Sequence, residues 1–444
     1  MSTFDHRLAD ALAALDALVN HEVNSVGISA GQVDGLTLEA IQAVAEVLGS
    51  PQDSFPVIHV TGTNGKGTVC RMAESLLLAT GLRVGTYLSP EGTVAERIRI
   101  DGQPIDGESL ADALTTVRGA AEAAQHQLTT FEAVTLTALV AFADAPVDVA
   151  VIEVGLLGRY DATNVVHADV AVITTIGGDH TDFTPGWQER VMAEKAGIIE
   201  SGGVVVLGDI DPALHVHVEP ERPAEVLRFG HEFDCTANEM ALGGRHVELV
   251  TSRGARHDVT VAAFGSHQGA NAAVALEAVE ALLHTSLGDE VVEAGFDAVR
   301  VPGRVELVAN APLVVLDGAH NADAAAAVGD ALADSFAVAG RRIAVVGVLS
   351  GRHPRKLLEA LHEAYPLDLV VAVGMEPPRG EPASVVEAAA LALDLPVVSS
   401  AGLESGIRRA LDHADEDDLV LITGSFRLID PARAIVARVL GEPS

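Results

Sequence analysis

The stretch "TGTNGKGT", residues 61–68, sets three glycines around one lysine directly after the apolar run "PVIHV". A glycine loop between a strand and a helix can turn its backbone N–H groups inward on an anion. The helix N-terminus then adds positive potential and Lys66 a point charge. The spacing is not that of the common lysine phosphate loop, which wants four residues between its glycines and a hydroxyl directly after the lysine. Here Gly62 and Gly65 stand two residues apart, and Gly67 separates Lys66 from Thr68. A tight strand-to-helix turn would also use glycines. However, Lys66 is one of only three lysines in 444 residues, with Lys195 and Lys356, and that rarity tilts the loop toward phosphate.

Other residues could carry chemistry beside such a loop. Glu153 interrupts the apolar run "VAVIEVG" near its end, where a buried carboxylate needs a partner: a metal ion, or a structural pairing with Arg159. "TTIGGDHTD" places Asp179, His180 and Asp182 after the next such run, at the edge where open α/β sheets bind ligands. A lone histidine can equally be surface or core. Lys195, in "ERVMAEKAGII", is open to reading as a surface lysine lying its stem along apolar neighbours. In the second half, Arg304 sits beside the Pro-Gly of "VPGRVELV", and "VVLDGAHN" leaves Asp317 and His320 at a strand end. Either could be loop polarity. Together they suggest a cation, a carboxylate and an imidazole facing a cleft between domains.

These positions require alternating strands and helices. The runs at 83–88, 147–154, 169–176 and 203–208 are rich in Val and Ile without clean alternation, as buried parallel strands are. A helix is expected over Thr68–Thr80, stopped by Gly81. Residues 5–48 read as helix, loop and helix. Residues 225–263 read as short strands, with a hairpin at "ELVTSRGARHDVTV", and suggest a small antiparallel addition to the main sheet. After residue 299 the alternation restarts with "PLVVLDG", "RIAVVGVL", "LDLVVAVG", "PVVSS" and "DLVLITG". The expected fold class is α/β: a mostly parallel sheet domain of phosphate-loop type over 1–298, and a smaller Rossmann-like α/β domain over 299–444.

Composition narrows the function classes. The formal charge of −35 opposes nucleic acid and anionic membrane, both of which bind through Lys and Arg. No charge-free run approaches the roughly 20 residues of a membrane span. The first 20 residues interleave charges with an apolar stripe and lack the basic start and cleavage site of a signal peptide, so the cytoplasm is the expected location. Two cysteines, Cys70 and Cys235, cannot build a disulfide framework.

In this order the pieces resemble the Mur ligase superfamily, most closely its folate branch, folylpolyglutamate synthase and dihydrofolate synthase. The matching stretches run from about residue 45 to the end: "LGSPQDSFPVIHVTGTNGKGT", "ERIRIDGQPI", "TTFEAVTLTALVAF", "IEVGLLGRYDATNVV", "IGGDHTD", "EKAGII", "GSHQGANAAVALEAV", "PGRVE", "LDGAHN" and "TGSFRL". The resemblance implies a ligase that joins a carboxylate to the amine of L-glutamate, using ATP to make an acyl phosphate. It implies that Gly62, Thr63, Asn64, Gly65, Lys66, Gly67 and Thr68 hold the ATP phosphates, and that Ser89, Glu153 and His180 bind two Mg²⁺ ions. Lys195 matches the lysine that becomes carbamylated in the family, Asn271 the residue that meets the adenine. Arg304, Asp317 and His320 match residues that close on the nucleotide and the reaction centre. A monomer is the family-level expectation, with dihydropteroate or a folate as acceptor.

The chain departs from the family pattern mainly on the acceptor side. Ser89-Pro90-Glu91-Gly92 and Val94-Ala95-Glu96-Arg97-Ile98 stand where the family reads Ser-Pro-His-Leu and Phe-Asn-Glu-Arg-Ile. Leu157 replaces a usual Gly, Gly178 a usual Leu, and "LSGRHPRKL" a common Asp-Lys-Asp. A Mur-type ligase with another carboxylate acceptor and a non-catalytic nucleotide-binding homologue are the alternative readings.

Overall fold

A computed structural model describes residues 3–20, 28–29, 32–33, 37–88, 92–178, 181, 184–377 and 379–441. The chain divides into two compact units. The first comprises residues 1–237, 247–261 and 269–299; the second comprises 238–246, 262–268 and 300–444. The two short segments of the second unit carry no compositional mark that would have separated them from the cut at 299.

The strands in chain order are β1 (Ile28–Ser29), β2 (Gln32–Val33), β3 (Val57–Thr61), β4 (Val84–Tyr87), β5 (Ile98–Ile100), β6 (Gln103–Pro104), β7 (Val149–Glu153), β8 (Val170–Ile173), β9 (Val204–Leu207) and β10 (Glu225–Arg228). From β3 to β10 they form one eight-stranded sheet, ordered β10-β9-β8-β3-β7-β4-β5-β6. The four Val- and Ile-rich runs all lie in it, and β3, β7 and β8 are buried along their whole length because helices cover both faces. β3 pairs in parallel with β7 on one side and β8 on the other. The ends of these three strands therefore share one edge.

The antiparallel part of this sheet lies elsewhere than residues 225–263. It is the short β5–β6 hairpin beyond β4. β10 joins the main sheet as a parallel strand, while β11 (Asp234–Ala241), β12 (Gly244–Val250) and β13 (Arg256–Val261) form a separate three-stranded sheet. Its last two strands correspond to the expected hairpin.

The helix after β3 covers Lys66–Ala79, two residues earlier than expected, because Gly65 takes a left-handed φ of 87° and serves as its N-cap. It ends at Thr80, before Gly81.

The second unit carries β14 (Glu306–Asn310), β15 (Leu313–Leu316), β16 (Arg342–Val346), β17 (Leu369–Val373), β18 (Val397–Ser400) and β19 (Leu419–Thr423), ordered β14-β15-β19-β16-β17-β18. Only β14 runs antiparallel to its neighbour. Alternate residues feed two cores: Val315, Ala344, Val370 and Leu421 on one face, Val314, Val345, Val371 and Ile422 on the other. β15 and β19 are neighbours, which brings the residues following each of them to one edge.

Candidate active site

The glycine loop is built against the end of β8. Gly62 has φ 147°, and a Cβ there would lie 1.8 Å from Thr174 Oγ1, so no other residue fits. The Thr63 amide donates to the Thr175 carbonyl (2.8 Å) and the Asn64 amide to Thr175 Oγ1 (3.0 Å). The hydroxyl of Thr174 donates to the Asn64 carbonyl (2.6 Å), and the Gly177 amide to Thr63 Oγ1 (2.9 Å). The backbone of the loop is thus fixed by its neighbour strand before any ligand arrives.

Beyond the loop, the helix Lys66–Ala79 begins without a side-chain cap and without an acidic residue in its first turn. Nothing of its own competes for the positive end of the helix. Lys66 Nζ donates to the carbonyls of Gly62 (3.1 Å) and Thr63 (3.2 Å). Lys195, in the helix Trp187–Ala196, is only 5 % exposed, and its Nζ donates to the same Gly62 carbonyl at 2.9 Å. The snorkelling alternative for Lys195 is therefore not the observed arrangement. Two of the three lysines of the chain meet on one oxygen of the loop. Asn271 also reaches it: a Cβ on Gly65 would fall 2.7 Å from Asn271 Oδ1.

Glu153 ends β7, in register with Val60 of β3, and is buried. Arg159, the structural partner weighed for it, carries its guanidinium to Glu221 Oε1 (2.6 Å) and the Ala193 carbonyl (3.0 Å). The turn after Glu153 is held to β3 by two connections. Thr61 Oγ1 donates to the Leu157 carbonyl (2.5 Å). Deeper, Thr163 Oγ1 donates to Asp161 Oδ1 (2.5 Å) and so must accept from His59 Nε2 (2.9 Å), which places the His59 proton on Nε2. Asp161 in turn accepts from the Leu156 amide at 2.8 Å. Burial pushes the Asp161 carboxyl up, against its hydrogen bonds, and pushes the fully buried His59 down to about 3.

Ser89 and His180, the other expected metal ligands, lie outside the described residues, as do Glu91, Asp179 and Asp182. Among the described residues no group of three or more His, Cys, Asp or Glu side chains converges on a metal position.

In the second unit, Arg304, Asp317 and His320 come together. Asp317, following β15, is buried and accepts the amides of Val305 (2.8 Å) and Ala319 (2.7 Å). Burial raises its carboxyl above the ordinary value, opposed by the charge of Arg304 and those two amides. His320 Nδ1 lies 2.9 Å from the Gly318 carbonyl, which can only accept, so Nδ1 carries the proton. The Arg304 guanidinium stacks 4.0 Å above the centre of the Phe426 ring.

Sequence reading missed Thr174, Thr175, the His59–Thr163–Asp161 chain and Phe426. The hydroxyl pair ending the β8 run was the one visible signal.

The Mur ligase middle domain model matches residues 60–279, and the Mur ligase, glutamate ligase domain model matches residues 303–426. A dihydrofolate synthase/folylpolyglutamate synthase of Mycobacterium tuberculosis is 38% identical over 381 residues, 80% of this chain and 77% of that protein. The solved structure of Mycobacterium tuberculosis folylpolyglutamate synthase complexed with ADP superposes with a TM-score of 0.88 at 33% identity, covering 99% of each chain. A bifunctional folylpolyglutamate synthase/dihydrofolate synthase from Yersinia pestis, complexed with AMPPNP and a Mn ion, gives a TM-score of 0.81 at 32% identity over 98% of each chain. No helix among the described residues is long and apolar enough to cross a membrane.

Proposed function

The chain belongs to the dihydrofolate synthase/folylpolyglutamate synthase family of Mur ligases, and from that premise we propose how its own residues carry the reaction. It is an ATP-dependent ligase that joins L-glutamate to a folate-type carboxylate. The observation that carries the reading is the preformed loop with two lysines on the Gly62 carbonyl.

In the reaction we infer, a carboxylate oxygen of the acceptor attacks the γ-phosphorus of ATP, and the bond from that phosphorus to ADP breaks. The amine of glutamate then attacks the acyl carbon, phosphate leaves, and the nitrogen gives up a proton. Within Gly62–Thr68, the amides of Thr63 and Asn64 are taken up by Thr175, so the amides at the helix start, Gly65–Thr68, and the Lys66 ammonium bind the phosphates and hold them in line. Asn271, set against Gly65, borders the nucleotide. Arg304 and His320 act on the nucleotide and the reaction centre, with Asp317 fixing the two loops that bear them through the amides of Val305 and Ala319.

Buried Glu153 is a hard oxygen donor on the strand beside the loop, which suits Mg²⁺. With Ser89, His180 and a carbamate on Lys195 it would hold two ions, whose charge neutralises the crowded oxygens. Carbamylation adds CO₂ to the Lys195 amine with loss of a proton. It would replace the second cation on Gly62 by an anionic oxygen ligand, relieving the repulsion from Lys66. The reading includes a monomer acting in the cytoplasm on small molecules, without nucleic acid or membrane.

The test is product mass after incubation with Mg-ATP, L-glutamate and either dihydropteroate, tetrahydrofolate or no acceptor. One added glutamate residue on dihydropteroate identifies the dihydrofolate synthase activity, and extension of tetrahydrofolate the polyglutamate activity. If neither acceptor reacts while ATP binds, the substrate is another carboxylate, selected through the altered stretch 91–95. Nucleotide binding without ADP release on any acceptor would make the chain a binding protein.

A further inference from the structure

Phe426 is half-buried, yet it stands between two of the residues just assigned to the reaction. It follows β19 and opens the short 3₁₀ helix Phe426–Leu428. The loop bearing it is tied to the Asp317 loop: the Asp317 amide donates to the Ile422 carbonyl (3.0 Å) and the Gly424 amide to the Ala319 carbonyl (3.0 Å). The ring rests on Gly318, where a Cβ would come within 2.4 Å of its carbons. Arg304 lies over one face at 4.0 Å, and the His320 ring meets it nearly edge-on, with centroids 6.2 Å apart at 68°. The negative face of an aromatic ring attracts a cation, and its shape restricts where a long guanidinium side chain can lie.

We propose that Phe426 is a positioning residue of the ligase: its ring is the platform that holds the Arg304 guanidinium and the His320 imidazole in their working directions. The platform requires an aromatic face, since an aliphatic side chain of similar size would fill the space without attracting the cation. It also requires glycine at 318, the only residue that lets the ring settle on the backbone. The proposal rests on the reading of Arg304 and His320 as groups of the reaction.

The test compares Phe426→Leu, Phe426→Tyr and Arg304→Ala, with the double variant of Phe426→Leu and Arg304→Ala, in the full-length protein. Expected is a drop of about tenfold in kcat/KM for ATP with Phe426→Leu, near-normal kinetics with Phe426→Tyr, and thermal midpoints within about 3 °C of each other. In the double variant, Phe426→Leu should add little to Arg304→Ala, because the ring acts through the cation it holds. Full activity of Phe426→Leu beside an impaired Arg304→Ala overturns the platform and leaves the site reading standing. Independent, multiplying losses in the double variant overturn it as well. If Arg304→Ala is itself silent, the reading of Arg304 fails and the platform with it. Should Phe426→Leu fold poorly, Phe426→Met replaces it, and Phe426→Tyr remains the rescue that distinguishes an aromatic requirement from bulk.

Discussion

The glycine loop of the first unit and the Arg304–Asp317–His320 cluster of the second both sit at the carboxyl edge of a mostly parallel sheet, yet they are held by opposite means. In the first, side chains following the neighbouring strand fix the backbone of the loop: Thr174 and Thr175 hold Asn64, and Gly62 admits nothing larger. In the second, a buried carboxylate fixes the backbone through the amides of Val305 and Ala319, and the groups proposed to act are side chains. The first should therefore be sensitive to geometry and tolerant of nothing at its glycines. The second should be sensitive to the chemistry of each side chain.

The largest effect that could break this contrast is expected at the two lysines. Lys195→Ala should keep nucleotide affinity within a few-fold but lower kcat by about 10²–10³-fold, with partial recovery on adding formate or acetate. Lys66→Ala should instead weaken ATP binding itself, by about 30-fold, as a lost hydrogen bond to a charged group does. Calorimetric ATP titration alongside turnover separates the two, and unchanged turnover in Lys195→Ala would refute its carbamate role.

A somewhat smaller loss is expected for Asp317→Asn, whose amide nitrogen can only donate and replaces one of the two oxygens that accept from Val305 and Ala319. One buried N–H would lose its partner, at a cost of about 1–3 kcal/mol in denaturant-measured stability. Glycine replacement sharpens the comparison from the other side. Gly65→Ala forces a left-handed alanine against Asn271 Oδ1 and should cost about 1–2 kcal/mol while also reducing nucleotide affinity. Combining it with Asn271→Ala should relieve the contact but not the backbone strain, so only part of the stability returns.

The last effect is silent at neutral pH and appears only on acidification. His59 is held near pKa 3 in the folded chain, against an ordinary 6.5. Between those values the unfolded chain binds the proton and the folded chain does not, so this stability is complete above pH 6.5 and is lost as pH falls toward 3. His59→Gln should flatten the acid limb of the stability curve, by up to about 1.4 kcal/mol per pH unit within that window. An unchanged slope in urea melts at pH 6, 5 and 4 would contradict the buried neutral imidazole.

Much of this arrangement was legible because it is local. The Val- and Ile-rich runs announced strands buried on both faces, and three glycines with a rare lysine after such a run announced the loop. What stayed hidden depends on which strands become neighbours. Thr174 and Thr175 matter because β8 lies against β3, a pairing that spans more than a hundred residues and leaves no local trace. The His59–Thr163–Asp161 chain and the approach of Phe426 to Gly318 are of the same kind. β5 and β6 escaped notice because strands of three and two residues have too little length for a pattern. Apart from the family resemblance, Lys195 stood out only as a rare residue, and its burial and its bond to Gly62 supply the geometry that local sequence could not.

The most direct test of the account is oxygen transfer. With the acceptor carboxylate labelled with ¹⁸O, and Mg-ATP and L-glutamate supplied, mass spectrometry of the released phosphate should find one ¹⁸O atom in it, with ADP as the nucleotide product. That label can enter phosphate only through a bond between the acceptor carboxylate and the γ-phosphorus. Phosphate free of label in a reaction that still forms the amide, or AMP in place of ADP, would contradict the acyl-phosphate ligase read from this loop.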